Sequence, residues 1–308
     1  MDSEVTSCLV GSRYRCSLHV TSAKERLRMS VVAGESWSYQ KYKFHGLSLS
    51  GIRTAIAMPE LSLSFDVAQG FPYLLNLKKF FISHGHLDHA AGIPYIISQK
   101  AMTSQNAAQF YMPGSLVEPM TNIMREWEKI EGHQYKFEFI PVKADDEIEI
   151  NQQNYVKVFP TTHRIESFGY TLFETSKKLR ADLQGKSQED IVNLRRKGED
   201  VNEIHHHPMV TFTGDTQIEF LGVRPWVKKS KILIMESTYL DDRKTIANAR
   251  EWGHTHLDEI IPHLDEIESE QIVLIHISSR YSDAEALRLI KSRIPDKHHD
   301  RIVLFPGR

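Results

Sequence analysis

Residues 79–83, Lys-Phe-Phe-Ile-Ser, read as a short strand apolar enough to be covered on both faces, and four metal-ligand side chains follow within six positions: His84, His86, Asp88 and His89. This pairing limits the fold more than any other feature of the chain. The ligands must lie on a loop at the end of a buried strand, where other strand ends can bring further ligands to the same edge. On a strand-to-helix loop, His84 and His86 can project to one side while Asp88 and His89 turn into a second position, so one loop can serve two neighbouring ions. Imidazole predominates, which favours zinc over magnesium or calcium. The chain has 16 histidines and only 2 cysteines, Cys8 and Cys16. Both lie in the first segment, so a disulfide framework is excluded and a thiolate metal site is disfavoured.

Three later positions repeat the pattern of an apolar strand ending in a ligand. They are His163 in Phe159-Pro160-Thr161-Thr162-His163, Asp215 in Phe212-Thr213-Gly214-Asp215, and His276 in Val273-Leu274-Ile275-His276. Alternating or continuous apolar runs predict strands over 43–49, 54–58, 61–66, 109–112, 136–140, 147–150, 155–159, 209–213, 231–235, 271–277 and 301–305. Helical spacing is read over 88–101, 243–252, 257–268 and 284–293. Meander-like strands inside, with helices between the later strands, give an α/β chain: two mixed β-sheets packed together with helices outside, an αβ/βα four-layer sandwich. We read residues 36–308 as one domain of this kind.

Residues 1–35 carry Arg13, Arg15, Lys24, Arg26 and Arg28 among Ser and Thr, with no apolar stretch of the kind a secretory signal needs. They read as a flexible N-terminal extension, with organellar targeting or a start at Met29 as the alternatives. A net charge of -2, from 38 basic and 40 acidic side chains, supplies no global positive field, so a polyanion must be met by a local patch. The longest apolar runs, such as Ile232-Leu233-Ile234-Met235, fall far short of a membrane span.

On these residues the sequence resembles the metallo-β-lactamase superfamily, whose hallmark is H-x-H-x-D-H followed by a distant His, Asp and His in that order. The resemblance runs from about residue 39 to the end. Met235-Glu236-Ser237-Thr238-Tyr239-Leu240-Asp241-Asp242, Gly253-His254 and His276-Ile277-Ser278-Ser279-Arg280-Tyr281 are similar to late motifs of the tRNase Z family, above all its plant-like short forms. The resemblance implies the metallo-β-lactamase fold and a zinc-dependent endoribonuclease that cleaves precursor tRNA at its 3′ end. It further implies a cytoplasmic homodimer with two zinc ions per subunit, or manganese or another divalent ion in their place. It gives His84, His86 and His163 to one ion, Asp88, His89 and His276 to the other, and Asp215 to both. Asp88 would also orient the attacking water. His254 would protonate the departing ribose oxygen, with Glu236 holding its other ring nitrogen. His256 competes for that role, although Thr255 and Asp258 look like a helix cap that leaves His254 outside the helix. Ser278 and Arg280, beside the last ligand, are candidates for phosphate contact, with packing against the sheet as the alternative.

An arm-like insertion is expected over about 172–207, where the family grips the tRNA elbow. It contains Lys177, Lys178, Arg180, Lys186, Arg195, Arg196 and Lys197, matched by an equal number of acids between Glu174 and Glu203. The family's Pro-x-Lys-x-Arg-Asn loop has no counterpart near Gly46 to Thr54, and Ala68-Gln69-Gly70-Phe71-Pro72 replaces its Gly-Glu-Gly-Thr-Gln. Two alternatives therefore stay open: a phosphodiesterase for cyclic nucleotides or other small diesters, and a non-catalytic zinc-stabilised RNA-binding scaffold. His205-His206-His207 is expected in an exposed loop, and His298-His299 is expected to be solvated.

Overall fold

The computed structural model describes residues 34–305. The extension expected over 1–35 lies outside the described residues except at its last two positions, and Glu35 already opens a strand. The first sheet runs β1 (Glu35–Tyr39), β2 (Tyr42–Leu49), β3 (Arg53–Met58), β4 (Leu63–Phe65), β5 (Lys79–Phe81), β6 (Gln109–Pro113) and β7 (Glu138–Val142), each beside the next. The second runs β8 (Glu147–Asn151), β9 (Asn154–Pro160), β10 (Phe168–Leu179), β11 (Asn202–Phe212), β12 (Ile232–Glu236), β13 (Gln271–Ile275) and β14 (Ile302–Leu304), again in chain order. In both sheets the first three junctions are antiparallel and the last three parallel. The two halves thus share one topology, a repeat that the sequence does not display.

Side-chain alternation explains the layers. In β12, Ile232 and Ile234 face the core between the sheets, while Leu233 and Met235 face the outer core. In β13, Val273 and Ile275 point inward and Ile272 and Leu274 outward. Both sets are apolar because both faces are covered, which is why these strands read as unbroken hydrophobic runs. Between the sheets, Phe65 stacks on Phe212 at 5.1 Å, and Phe81 packs against Tyr170 at 5.3 Å. Outside the first sheet lie α1 (Leu87–Ala90), α2 (Ile93–Met102) and α3 (Gly114–Glu131). After α4 (Gln188–Arg196), the second sheet is covered by elements among α5 (Phe220–Val223), α6 (Pro225–Lys229), α7 (Ile246–Glu251), α8 (Leu257–Ile260) and α9 (Asp283–Arg293). This is the αβ/βα sandwich expected from the strand and helix pattern. No helix among the described residues is long and apolar enough to cross a membrane.

Several elements differ from expectation for identifiable reasons. The helix read over 88–101 is two helices, because the Gly92 N–H bonds the Ala68 carbonyl at 2.7 Å instead of continuing the helical ladder, and a Cβ there would lie 2.1 Å from the Gly70 backbone nitrogen. The helix read over 257–268 ends at Ile260, ahead of Pro262. Helix α3 was not anticipated: Pro119 lies inside it, and only Met120 and Met124 of it are buried. His205–207 belong to β11 rather than to a loop, with His206 Nδ1 against the Tyr155 hydroxyl and His207 Nε2 against Ser176 Oγ, each at 2.9 Å. His298 is buried, not solvated, with its Nε2 3.1 Å from Asp265.

Candidate metal centre and active site

Strands β9, β11, β12 and β13 run in one direction, so their C-terminal ends share an edge, and β4 and β5 end beside it. Asp66 follows β4, Ser83 and His84 follow β5, His163 follows β9, Asp215 follows β11, and His276 follows β13. Asp66 and His276 have φ of +53° and +58°, a costly conformation for residues with a Cβ that the surrounding bonds must impose. The backbone N–H of His276 is held by Ser48 Oγ at 2.9 Å, and that of Asp66 by the Phe81 carbonyl.

The structure brings all seven expected ligands together. One group is His84, His86, His163 and Asp215; the other is Asp88, His89, Asp215 and His276; within each, all ligand atoms lie within 4.8 Å of one another. Asp215 belongs to both. Its Oδ1 is 3.4 Å from His89 Nε2, and its Oδ2 is 3.8 Å from His84 Nε2 and 3.2 Å from His276 Nε2. Asp88 Oδ2 lies 3.5 Å from His89 Nε2 and 3.4 Å from His276 Nε2.

Outward hydrogen bonds fix which ring nitrogens face inward. Ser83 donates its hydroxyl to Asp66 Oδ2 at 2.8 Å, so the 3.0 Å contact between its oxygen and His84 Nδ1 uses the ring N–H. His89 Nδ1 donates to Asp66 Oδ2 at 2.7 Å, and His163 Nδ1 donates to the Gly253 carbonyl at 2.8 Å. Thr238 gives its hydroxyl to Glu236 Oε2 at 2.6 Å, which leaves its oxygen to accept from His276 Nδ1 at 3.1 Å. Four rings therefore aim a lone pair from Nε2 at the centre, the outer-shell arrangement that orients histidine ligands. His86 turns Nδ1 inward instead, 3.0 Å from His84 Nε2 and 3.3 Å from His163 Nε2.

These residues fit a cation. Three ring nitrogens meet with at most one proton to share, and His89 Nε2 and Asp215 Oδ1 are buried with no hydrogen-bond partner. Burial pushes His84, His86 and His163 below the usual imidazole range, which keeps them neutral and able to donate lone pairs. Burial opposes the charge on Asp215 and Asp88, but positive charge at the positions of His276 and His89 outweighs it and lowers both carboxyls, a role that a bound cation would take over from ring protons. Five nitrogens and two carboxylates with no thiolate suit zinc.

His254 stands beside this cluster, its ring centre 5.3 Å from that of His163 and 5.2 Å from that of His276. Its Nδ1 lies 3.1 Å from Glu236 Oε1, which also accepts from the Thr216 N–H at 2.6 Å. Burial disfavours the imidazolium, yet buried Glu236 more than offsets this and His254 is pushed up to about 9. His256 is committed elsewhere: its Nδ1 accepts from the Asp258 N–H at 3.1 Å and its Nε2 faces the Asp241 carbonyl at 3.2 Å. The helix cap thus begins one residue later than the Thr255 reading, and Thr255 instead donates its hydroxyl to the Thr216 carbonyl at 2.6 Å. Ser278 is buried, with its N–H on the Thr238 carbonyl, whereas Arg280 is exposed.

Comparison with known proteins agrees with this geometry. The profile of the beta-lactamase superfamily domain matches residues 74–277. The chain is 32% identical over 246 residues to tRNase Z TRZ1 of Arabidopsis thaliana, covering 79% of this chain and 88% of that protein. The chain belongs to the tRNase Z family. A second Arabidopsis thaliana relative, the chloroplastic tRNase Z TRZ2, is 30% identical over 266 residues, covering 84% of this chain and 74% of that one. The crystal structure of the short form of human tRNase Z shares the fold, with a TM-score of 0.55 at 18% identity, covering 86% of this chain and 95% of that one.

As a member of the tRNase Z family, the chain is a metal-dependent hydrolytic nuclease. Four positions that sequence reasoning passed over complete its site: Asp66, Thr216, Thr238 and the Gly253 carbonyl. Asp66 carried a signal, since it ends an apolar strand as Asp215 does. Thr238 and the Gly253 carbonyl hold the His276 and His163 rings and Thr216 holds Glu236, and spacing does not mark such residues.

Proposed function

We propose that this chain is a zinc-dependent endoribonuclease that cuts precursor tRNA on the 3′ side of the discriminator nucleotide, leaving a 3′ hydroxyl and a 5′ phosphate. The observation that carries the reading is the sharing of Asp215 between two ligand groups with His254–Glu236 alongside. His84, His86 and His163 would hold one zinc ion, Asp88, His89 and His276 a second, and Asp215 both. Bound there, the pair supplies positive charge for a phosphodiester and acidifies water toward neutral pH. Asp88 orients the attacking water with whichever oxygen is not engaged. His254, its Nδ1 anchored on Glu236, presents Nε2 as the proton donor to the leaving ribose oxygen. Arg280, and the Ser278 loop that carries it, would contact the substrate phosphate.

The tRNA assignment is supported by the hairpin of β10 and β11. Their pairing continues from Tyr170 and Phe212 out to Leu179 and Asn202, with α4 in the connection. Lys177, Lys178, Lys186, Arg195, Arg196 and Lys197 are exposed there, and none makes an ion pair among the described residues. The arm carries as many acids as bases, so contact with the RNA backbone would rest on these six cations as a local patch, and its contribution should weaken with salt. A homodimer is supported by apolar side chains exposed on α2 and α3, notably Tyr95, Met102, Trp127 and Ile130.

The test is turnover of precursor tRNA and cyclic AMP, side by side at matched zinc content. Cleavage of the tRNA alone supports the proposal. Preference for cyclic AMP would replace it with a small-diester phosphodiesterase, and zinc binding without turnover of either would point to a scaffold.

A further inference from the structure

We propose that Arg164 and Trp252 form a stacking platform for the unpaired base of the nucleotide whose 3′ oxygen leaves. The inference rests on the endoribonuclease reading and adds where that nucleotide is held. Arg164 follows His163 in the chain, and Trp252 precedes Gly253, whose carbonyl holds the His163 ring. The guanidinium carbon of Arg164 stands 4.8 Å from the centre of the Trp252 ring. The indole remains 52% exposed. Arg164 is also exposed, and no carboxylate pairs with it among the described residues.

A single exposed tryptophan is ordinary on a protein surface; the support beneath this one is not. Thr245 and Asn248 form a capping box at the start of α7, and Trp252 closes its other end. Between them, Arg250 pairs with Glu219 at 2.8 Å and Glu259 at 2.6 Å, and its carbonyl accepts from Gln217 Nε2 at 2.8 Å. The two loops also touch through their backbones: a Cβ at Gly253 would lie 2.7 Å from His163 Nδ1 and 3.1 Å from the Arg164 nitrogen. The Trp252 and Arg164 backbones are thus tied to the loop that carries the His163 ring.

A guanidinium over one face of the indole leaves the other face for any base, and the guanidinium keeps donors for a phosphate oxygen. An unpaired base is required, because bases within a duplex are already stacked. His254 lies two residues beyond Trp252, so the platform is on the side of the proton donor and of the departing oxygen. The nucleotide carrying that oxygen is the one within reach.

The experiment compares zinc-loaded wild-type protein with Trp252→Ala, Trp252→Phe and Arg164→Ala. Substrates are precursor tRNA, the same RNA with an abasic residue 5′ of the cut, and bis(p-nitrophenyl) phosphate. Trp252→Ala should raise KM for intact precursor about 5- to 150-fold, with a smaller change in kcat. Its loss of kcat/KM on that RNA should exceed its loss on the aryl diester by at least about fivefold. Trp252→Phe should recover most of the loss, Arg164→Ala should show part of it, and the abasic RNA should erase the difference between wild type and Trp252→Ala. Equal losses on RNA and aryl diester, or a loss that persists on abasic RNA, would overturn the platform and leave Trp252 as a support for Gly253. A wild-type protein that hydrolyses the aryl diester but not the precursor would overturn the functional reading, and the platform with it.

Discussion

The Thr238 hydroxyl and the Glu236 carboxylate, two residues apart at the end of β12, are 2.6 Å from each other. Glu236 also holds His254, and Thr238 holds His276, so one buried carboxylate orients the proposed ligand and the proposed proton donor together. Thr238→Val keeps the shape and removes the link. It should lower zinc affinity or diester turnover by roughly 10- to 100-fold, with Thr238→Ser restoring most of it. Zinc titration against a competing chelator, alongside turnover, checks this; a valine variant with native values would show the hydroxyl to be idle.

Asp215 supplies oxygens to both ligand groups, and its Oδ1 has no hydrogen-bond partner. Asp215→Asn preserves volume but removes the charge that faces His89 and His276. Zinc should fall below two ions per chain, and turnover of bis(p-nitrophenyl) phosphate should drop by more than the roughly 10- to 100-fold typical of an outer-shell loss. Asp88→Ala should abolish that turnover. Chelation should do the same to the native protein, reversibly on adding zinc. Two ions retained by Asp215→Asn, measured by elemental analysis, would refute the shared-ligand arrangement.

The parts of this fold that were legible in the sequence are those where one residue's neighbours decide its fate. Strands β5, β12 and β13 are continuous apolar runs because both of their faces are buried; the ends of β5 and β13 announce His84 and His276, whereas Glu236 at the end of β12 is marked only by the family motif. Helix α3 was hidden because it contains Pro119 and turns little apolar surface to the core. His205–207 resembled a loop because three consecutive histidines give no alternation; pairing with β10 decides their conformation. Asp66 and Thr238 act on residues 23 and 38 positions away, through single hydrogen bonds that no local pattern encodes.

Gly253 has φ of +78°, and a Cβ there would press on His163 Nδ1. Gly253→Ala should destabilise the fold by about 1–3 kcal/mol. It should also displace the carbonyl that fixes the His163 tautomer, lowering zinc content in the first ligand group. Gly222→Ala is the control, since a Cβ there meets nothing within 4 Å. Thermal denaturation and zinc stoichiometry of the two variants separate strain from a general intolerance of substitution; matching melting temperatures would remove the argument for strain.

His254 and His256 sit two residues apart in different surroundings, and leaving-group chemistry distinguishes them. A proton donor matters in proportion to the basicity of the departing oxygen. His254→Ala should therefore slow cleavage of an RNA or alkyl ester by roughly 10²- to 10⁴-fold. It should slow p-nitrophenolate release, which needs little protonation, far less. His256 spends Nδ1 on the N–H of Asp258 at the start of α8 and faces the Asp241 carbonyl with Nε2. Its removal should cost about 0.5–2 kcal/mol of stability as a lost cap, with similar fractional rate losses on both kinds of leaving group. Kinetics of the two variants across a series of esters of graded leaving-group pKa reads this directly. A flat response for His254→Ala, or a steep one for His256→Ala, would reassign the proton donor.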